Sequence, residues 1–263
     1  MFRYLNNETP LPEKSSFKVL GILQENVFPN QGGNWPDLIS EFKNEWMTRL
    51  LPLENDEARR TSLLFLCKKY LSNIGCNADY AHISLFEHLK VTSAIADSLA
   101  RGAGDGFLLA GVGLDNIQGF CYDIVSSKAA KSLKGRSFFL QMLMDTICQD
   151  IISHPNIQGG GYGHILYARG GKAFIILPDT QAVRTALDSI HEELVRQIWN
   201  RHHLGLYIFL QYTDFALTSN DQTSIWRALE EKIRQEKNSR YKQMLVNSFD
   251  RFHSNRRRIE CRQ

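Results

Sequence analysis

The run SSKAAKSLKGRSFF, Ser126 to Phe139, sets Lys128, Lys131, Lys134 and Arg136 among small residues just ahead of an apolar stretch. Ser126, Ser127, Ala129, Ala130, Ser132, Gly135 and Ser137 leave room for a ligand to come close to the backbone. Backbone N–H groups that lead into a helix N-terminus favour an anion. A phosphate cradle is one use of such a segment. An ordinary solvated basic loop is the other, and charge alone favours the loop. The glycines of HPNIQGGGYGH pose a similar choice between a turn and a close approach by a ligand, with the turn the simpler answer.

Other chemistries need residue types that this chain does not bring together. Two-metal nucleotidyl transfer takes carboxylates from the first strand and the central hairpin of a palm-type sheet. Here the hairpin reads Arg169-Gly170-Gly171-Lys172, with bases in place of acids, and Asp115 by itself cannot organise two divalent ions. Gly170 to Lys172 also fail as a P-loop, because Ala173 and a strand follow where Ser or Thr and a helix are required. The RNA-recognition fingerprint is missing, and Tyr167 and Phe174 are more simply core aromatics than base-stacking ones. His82 and His88 are six apart and His202 and His203 adjacent, neither of which is the spacing of helical metal ligands. Cys67, Cys76, Cys121, Cys148 and Cys261 never form a CxxC pair, so neither a disulfide framework nor a zinc site is read from them. Cys121 and Cys148 are taken as small core residues. No catalytic residue and no metal site is assigned.

The elements that must position these residues follow from periodicity. Residues 1–35 form a loop-rich lead-in. Helices are expected over 36–103: one from Pro36 through Leu38, Phe42, Trp46 and Leu50, a second opened by Asn55, and a third with a capping box at Ser84 and Glu87 and a stop at Gly102. From 104 to 218 the period changes. GFLLAGVGL is a buried strand, SFFLQMLMDTICQDII a helix, and GHILYARGGKAFIILP two strands joined at Gly170 and Gly171. Asp179 or Thr180 caps a helix whose Val183, Leu187, Ile190, Leu194 and Ile198 share a face, and LGLYIFLQY is the last strand. The βαββαβ order predicts an α+β fold with a ferredoxin-like split, its antiparallel sheet covered on one side by two helices. Residues 219–263 form a charged helical extension ending in a basic tail with Arg256, Arg257 and Arg258.

Bulk properties narrow the function classes. Lys and Arg total 31 against 28 Asp and Glu, a formal charge of +3, so any anion binding must be local. Unpaired cysteines suit a reducing cytoplasm, and neither a signal peptide nor a membrane span is read from the sequence.

SSKAAKSLKGRSFFLQML, preceded by LDNIQGF and followed by YARGGKAFIILPD, resembles the first palm domain of the large subunit of type III CRISPR effector complexes. ISLFEHLKVTSAIADSL, Ile83 to Leu99, resembles the segment just before that palm. The likeness covers about Pro10 to the C-terminus and is most specific over Ile117 to Phe139. It implies a subunit that joins other effector subunits, crRNA and target RNA in the cytoplasm. It also implies ATP as a substrate shared with a second palm for cyclic oligoadenylate synthesis. Ser126, Ser127, Lys128, Lys131, Lys134, Gly135, Arg136 and Ser137 would then face the nucleotide, which lifts the phosphate cradle to even odds with the solvated loop. The family's GGDD motif and HD nuclease pair are not found in this chain, Cys261 stands where a zinc element commonly begins, and Gly113 aligns with a position usually acidic. The resemblance therefore implies a truncated or split large subunit, not catalytic alone. The alternative is a non-catalytic scaffold that binds RNA backbone or a small effector subunit through the charged helix and basic tail.

Overall fold

The computed structural model describes residues 35–72, 74–76, 83–102, 104, 106–122, 129–157, 161–218, 222–242 and 244–245. The chain divides into two compact units, Met1–Asp97 with Gly160–His164, and Ser98–Gly159 with Ile165–Gln263.

In the first unit, α1 (Trp35–Glu45) continues into a π-helical turn, Trp46–Leu50, and is followed by α2 (Asp56–Leu71). The expected apolar stripe is the packing stripe. Leu38, Phe42 and Trp46 close over buried Leu50, Leu66 and Tyr70. Asn55 caps α2 by accepting the Ala58 N–H at 2.8 Å, and Asp56 and Glu57 sit at the positive end of the helix dipole. α3 (Leu85–Ala100) departs from the capping box. Ser84 bridges to Gly75 and donates its hydroxyl to the Leu71 carbonyl at 3.4 Å, while Glu87 turns forward to Lys90 at 2.8 Å. Ser84 is held by the preceding segment and Glu87 by a neighbour on its own helix, so the reciprocal cap is not made. Gly102 ends this region at φ 81°. Of the three glycines at 159–161, Gly161 is described, and its φ of 54° opens the short 3₁₀ turn Gly161–His164. His164 is buried and bonded to the Asp97 carboxylate at 3.1 Å.

The second unit holds β1 (Gly106–Asp115), α4 (Ile117–Tyr122), α5 (Ala129–Ser153), β2 (Ile165–Arg169), β3 (Lys172–Pro178), α6 (Gln181–His202), β4 (Tyr207–Ala216) and α7 (Gln222–Asn238). The sheet order is β2-β3-β1-β4 with every pair antiparallel. The fold is α+β and the βαββαβ succession is the one expected. Gly170 and Gly171, at φ 64° and 75°, make the β2–β3 turn, which only residues free of a Cβ adopt without strain. Thr180, and not Asp179, caps α6 by accepting from the Val183 N–H at 3.2 Å. Asp179 instead holds Arg184 in a two-point pair at 2.6 and 2.7 Å.

Alternation along the strands sorts side chains to two faces. Leu108, Ala110, Val112 and Leu114 of β1 join Ile175, Leu177, Ile208 and Leu210 beneath α5 and α6, with Ile147, Ile151 and Leu187 filling the layer. Burial of each such aliphatic side chain stabilises the unit by roughly 1.5–3 kcal/mol. α5 and α6 cover one face as expected; the opposite face carries Gly111, Gly113, Phe174 and Phe209, and α7 packs against it. A Cβ on Gly111 would lie 3.1 Å from Ile233 and 3.3 Å from Leu229, both on α7. Trp226 of α7 meets Phe174 edge-on at 4.9 Å. The aromatic sheet face on which single-stranded RNA could stack is thus occupied by the chain's own helix.

The basic run needs a correction. α5 starts at Ala129, so residues 129–137 are helical where a loop was expected, and Ser126, Ser127 and Lys128 lie outside the described residues. Ala, Leu, Lys and Arg are strong helix formers, and the single interior Gly135 costs only about 1 kcal/mol against Ala. Smallness was the cue for a loop, but propensity decides the conformation. Among the described residues no helix is long and apolar enough to cross a membrane.

Candidate functional site

β1, the β2–β3 turn and α7 converge at one end of the sheet. Gly113 pairs with Lys172 on one side and Phe209 on the other. A Cβ built on Gly113 would sit 2.5 Å from the Phe209 ring and 2.8 Å from the Gly171 carbonyl oxygen. That oxygen already accepts the Leu114 N–H at 2.8 Å, so the turn is tied down on β1. No carboxylate fits at position 113 in this packing. Gly171 is equally enclosed, since a Cβ there would run into Ile117.

Asp115, the one acid of the strand end, is already engaged. Its two oxygens meet Lys237 Nζ at 3.3 Å and an Arg240 guanidinium nitrogen at 2.9 Å. The Lys237 ammonium also lies over the Phe209 ring, 4.6 Å from its centre. Arg169 and Lys172 flank the turn in exposed positions. Cations therefore stand around the corner where two-metal chemistry needs acids. Among the described residues no group of three or more His, Cys, Asp or Glu is placed to hold a metal ion.

Of the basic run, Lys131, Lys134, Gly135 and Ser137 lie along the exposed or half-exposed side of α5. Arg136 behaves differently. Its guanidinium donates to the Phe120 carbonyl and stacks on the Phe120 ring at 5.2 Å, which joins α5 to α4. Phe120 also meets Phe139 and His202, the latter edge-on at 5.4 Å. Arg136 is thereby committed to the protein's own structure, and Lys131 and Lys134 remain as the cations of this run turned outward.

Burial among these rings, together with the charges of Arg201 and His203, holds the His202 imidazole below its ordinary range. The unfolded chain therefore binds this proton more readily than the folded one. The stabilisation is complete above the unfolded value of about 6.5 and declines as pH falls from there towards the folded value. Thermal midpoints between pH 7.5 and 5 should fall with acidity, and His202→Gln should flatten part of that slope. A slope unchanged by the substitution would place the titrating group elsewhere.

The cysteines taken as core are core. Cys121 and Cys148 are buried, and loss of solvation pushes the Cys148 thiol up to about 12, far from a nucleophile's range. The residues that sequence reasoning missed are Lys237 and Arg240. Their spacing of three on a charged helix is ordinary, and their partner Asp115 is distant in the chain, so no local signal joins them.

A model of the family described as Csm1 subunit domain B matches residues 106–255. The Cas10/Csm1 single-strand-specific deoxyribonuclease of the subtype III-A CRISPR system of Mycobacterium tuberculosis is 27% identical over 209 residues, covering 70% of this chain and 25% of that protein. Its counterpart from Enterococcus italicus is 26% identical over 188 residues, covering 60% and 24%. The chain thus spans about a quarter of the length of the curated relatives it matches. A crystal structure of a Csm1-Csm4 cassette in complex with cA4 superposes with a TM-score of 0.72 at 22% identity, over 86% of this chain and 33% of that one, which establishes the shared fold. Since the family match takes in more than half of the 263 residues and includes the whole sheet, this chain belongs to the Csm1 subunit domain B family, the Cas10/Csm1 large-subunit group of type III CRISPR systems.

Proposed function

We propose that this chain supplies a non-catalytic palm to a type III CRISPR effector, where it holds ATP jointly with a second palm that brings the metal-binding acids. The observation that carries this is the corner at Gly113: cations surround it, its one acid is neutralised, and a carboxylate has no space there. Such a surface suits a polyanion and cannot organise metal ions for itself. Solved relatives support the nucleotide, since Csm1-Csm4 cassettes have been crystallised with one ATP and with cA4. In this reading its partners are other effector subunits, as Csm4 is in those cassettes, and crRNA and target RNA are reached through the complex.

In this proposal Lys131 and Lys134 reach the ATP phosphates from α5, with Gly135 and Ser137 beside them. Arg136 acts indirectly, by fixing α5 against Phe120. Lys131→Ala with Lys134→Ala should weaken ATP binding about tenfold, the loss of roughly 1.4 kcal/mol expected when charge-assisted contacts are removed. Titration calorimetry on the chain alone and with a second-palm protein measures this, and cyclic oligoadenylate should form only in the mixture. Unchanged ATP affinity in the double variant, with an unchanged circular dichroism spectrum, would remove these lysines from the site.

The scaffold alternative has less to stand on. α7 spends its apolar face on the sheet, and its outer face mixes signs, with Arg234 paired to Glu231 at 2.6 Å. Such a surface gives little net attraction to RNA backbone.

A further inference from the structure

α5 carries its charges in the order that its own dipole opposes. A helix places roughly half a positive charge at its N-terminus and half a negative charge at its C-terminus, so acids are favoured in the first turn and bases in the last. Here Lys131 stands in the first turn and Lys134 in the second, whereas Asp145 lies towards the far end and Asp150 in the last turn. Among the described residues, Lys131, Lys134 and Asp145 are exposed and paired with no opposite charge. Nothing within one copy of the chain makes use of this order.

Successive residues turn by about 100° around a helix, so Lys131, Lys134, Gly135, Phe138, Met142 and Asp145 share one outward stripe. It lies opposite the buried Leu140, Met144, Ile147 and Ile151. Two large apolar side chains occupy its middle, Phe138 at 64% exposed and Met142 at 47%. Gly135 leaves the backbone open beside them, since a Cβ there would have nothing within 4 Å.

We infer that this stripe packs antiparallel against the α5 stripe of a second copy of the chain. The pattern is self-complementary about a two-fold axis beside residue 140. Phe138 then meets Met142 of the second copy, Lys134 meets its Asp145, and Lys131 comes alongside its Asp150 at the ends of the seam. Each pairing occurs twice, as an isologous interface requires. The antiparallel order also sets the positive end of one helix dipole beside the negative end of the other. A nucleic acid on this face would meet Asp145 and gain little from Phe138 and Met142, whereas a second copy engages every member of the stripe.

Lys131 and Lys134 are also the lysines proposed above to reach ATP, so self-association would withhold them from nucleotide. That consequence rests on the ATP reading; the dimer itself does not.

Sedimentation velocity of the full chain over a concentration series should show a monomer-dimer equilibrium that weakens with added salt. Phe138→Asp should leave only monomer. Lys134→Asp and Asp145→Lys should each weaken the dimer roughly tenfold, because two symmetry-related pairs turn from attraction to repulsion. Both reversals agree with the helix dipole, so neither threatens the fold, and circular dichroism checks that each variant is folded. The decisive arm mixes the two charge-reversed proteins. Association should return to near the wild-type level, since both pairs in the mixed dimer are again opposite in sign. A chain that stays monomeric throughout, a dimer indifferent to Phe138→Asp, or a mixture that associates no better than its components would each overturn the inference. Added ATP separates the two readings: a dimer that ATP dissociates supports both, while a dimer indifferent to ATP stands and counts against the ATP contact of these lysines.

Discussion

Gly113→Asp is expected to destabilise the sheet unit by about 2–4 kcal/mol and to create no metal site. The new Cβ would meet the Phe209 ring at 2.5 Å and the Gly171 carbonyl oxygen at 2.8 Å. The ring belongs to a buried residue and the oxygen to a turn hydrogen-bonded to Leu114, so neither withdraws without loss of packing or of a backbone bond. At about 2–4 °C per kcal/mol for a domain of roughly this size, the thermal midpoint should fall by about 4–16 °C. Manganese titration should leave the variant's midpoint unmoved. A stable, manganese-responsive Gly113→Asp protein would mean that the corner retains a latent metal site.

Phe209→Ala is expected to cost about 3–5 kcal/mol, as truncation of a fully buried aromatic does. Phe209 is 1% exposed, pairs with Gly113 across the sheet and carries the Lys237 ammonium over its face. The informative measurement is the double variant. With the ring gone, one of the two obstacles at 113 is removed and the Gly171 carbonyl oxygen at 2.8 Å remains. The combined loss should then fall short of the sum of the single losses by more than about 1 kcal/mol in urea denaturation. Strict additivity would show that Phe209 is not what keeps an acid out of this corner.

Both substitutions probe the same packing at the corner around Gly113. A glycine allows the strands and the turn to close up, the neighbouring aromatic fills the gap, and α7 brings a cation over it. The outcome is a closed corner in which Asp115 is held by Lys237 and Arg240.

Much of the architecture was legible because it rests on local rules. The two-residue glycine turn, the Asn55 cap, the α6 stripe from Val183 to Ile198 and the buried run of β1 each depend on residues close in sequence. Their order was enough to specify the βαββαβ sheet. Composition at Arg169-Gly170-Gly171-Lys172 was the ground for expecting no two-metal site, since the hairpin carries bases where that chemistry takes acids.

Tertiary structure decided the rest, where partners are distant in sequence. The helical start of α5 was missed because small residues suit a loop and a helix alike, and contact with α4 through Arg136 is not a local property. Ser84 donates its hydroxyl to the Leu71 carbonyl and does not accept an N–H of its own helix, because packing brings that distant carbonyl within reach. The covering of the second sheet face by α7, the exclusion of a carboxylate at Gly113 and the meeting of Lys237 and Arg240 with Asp115 all join segments far apart in the chain. Periodicity can say that a helix has an apolar face, but only the folded chain says which surface that face covers and which charges its ends bring together.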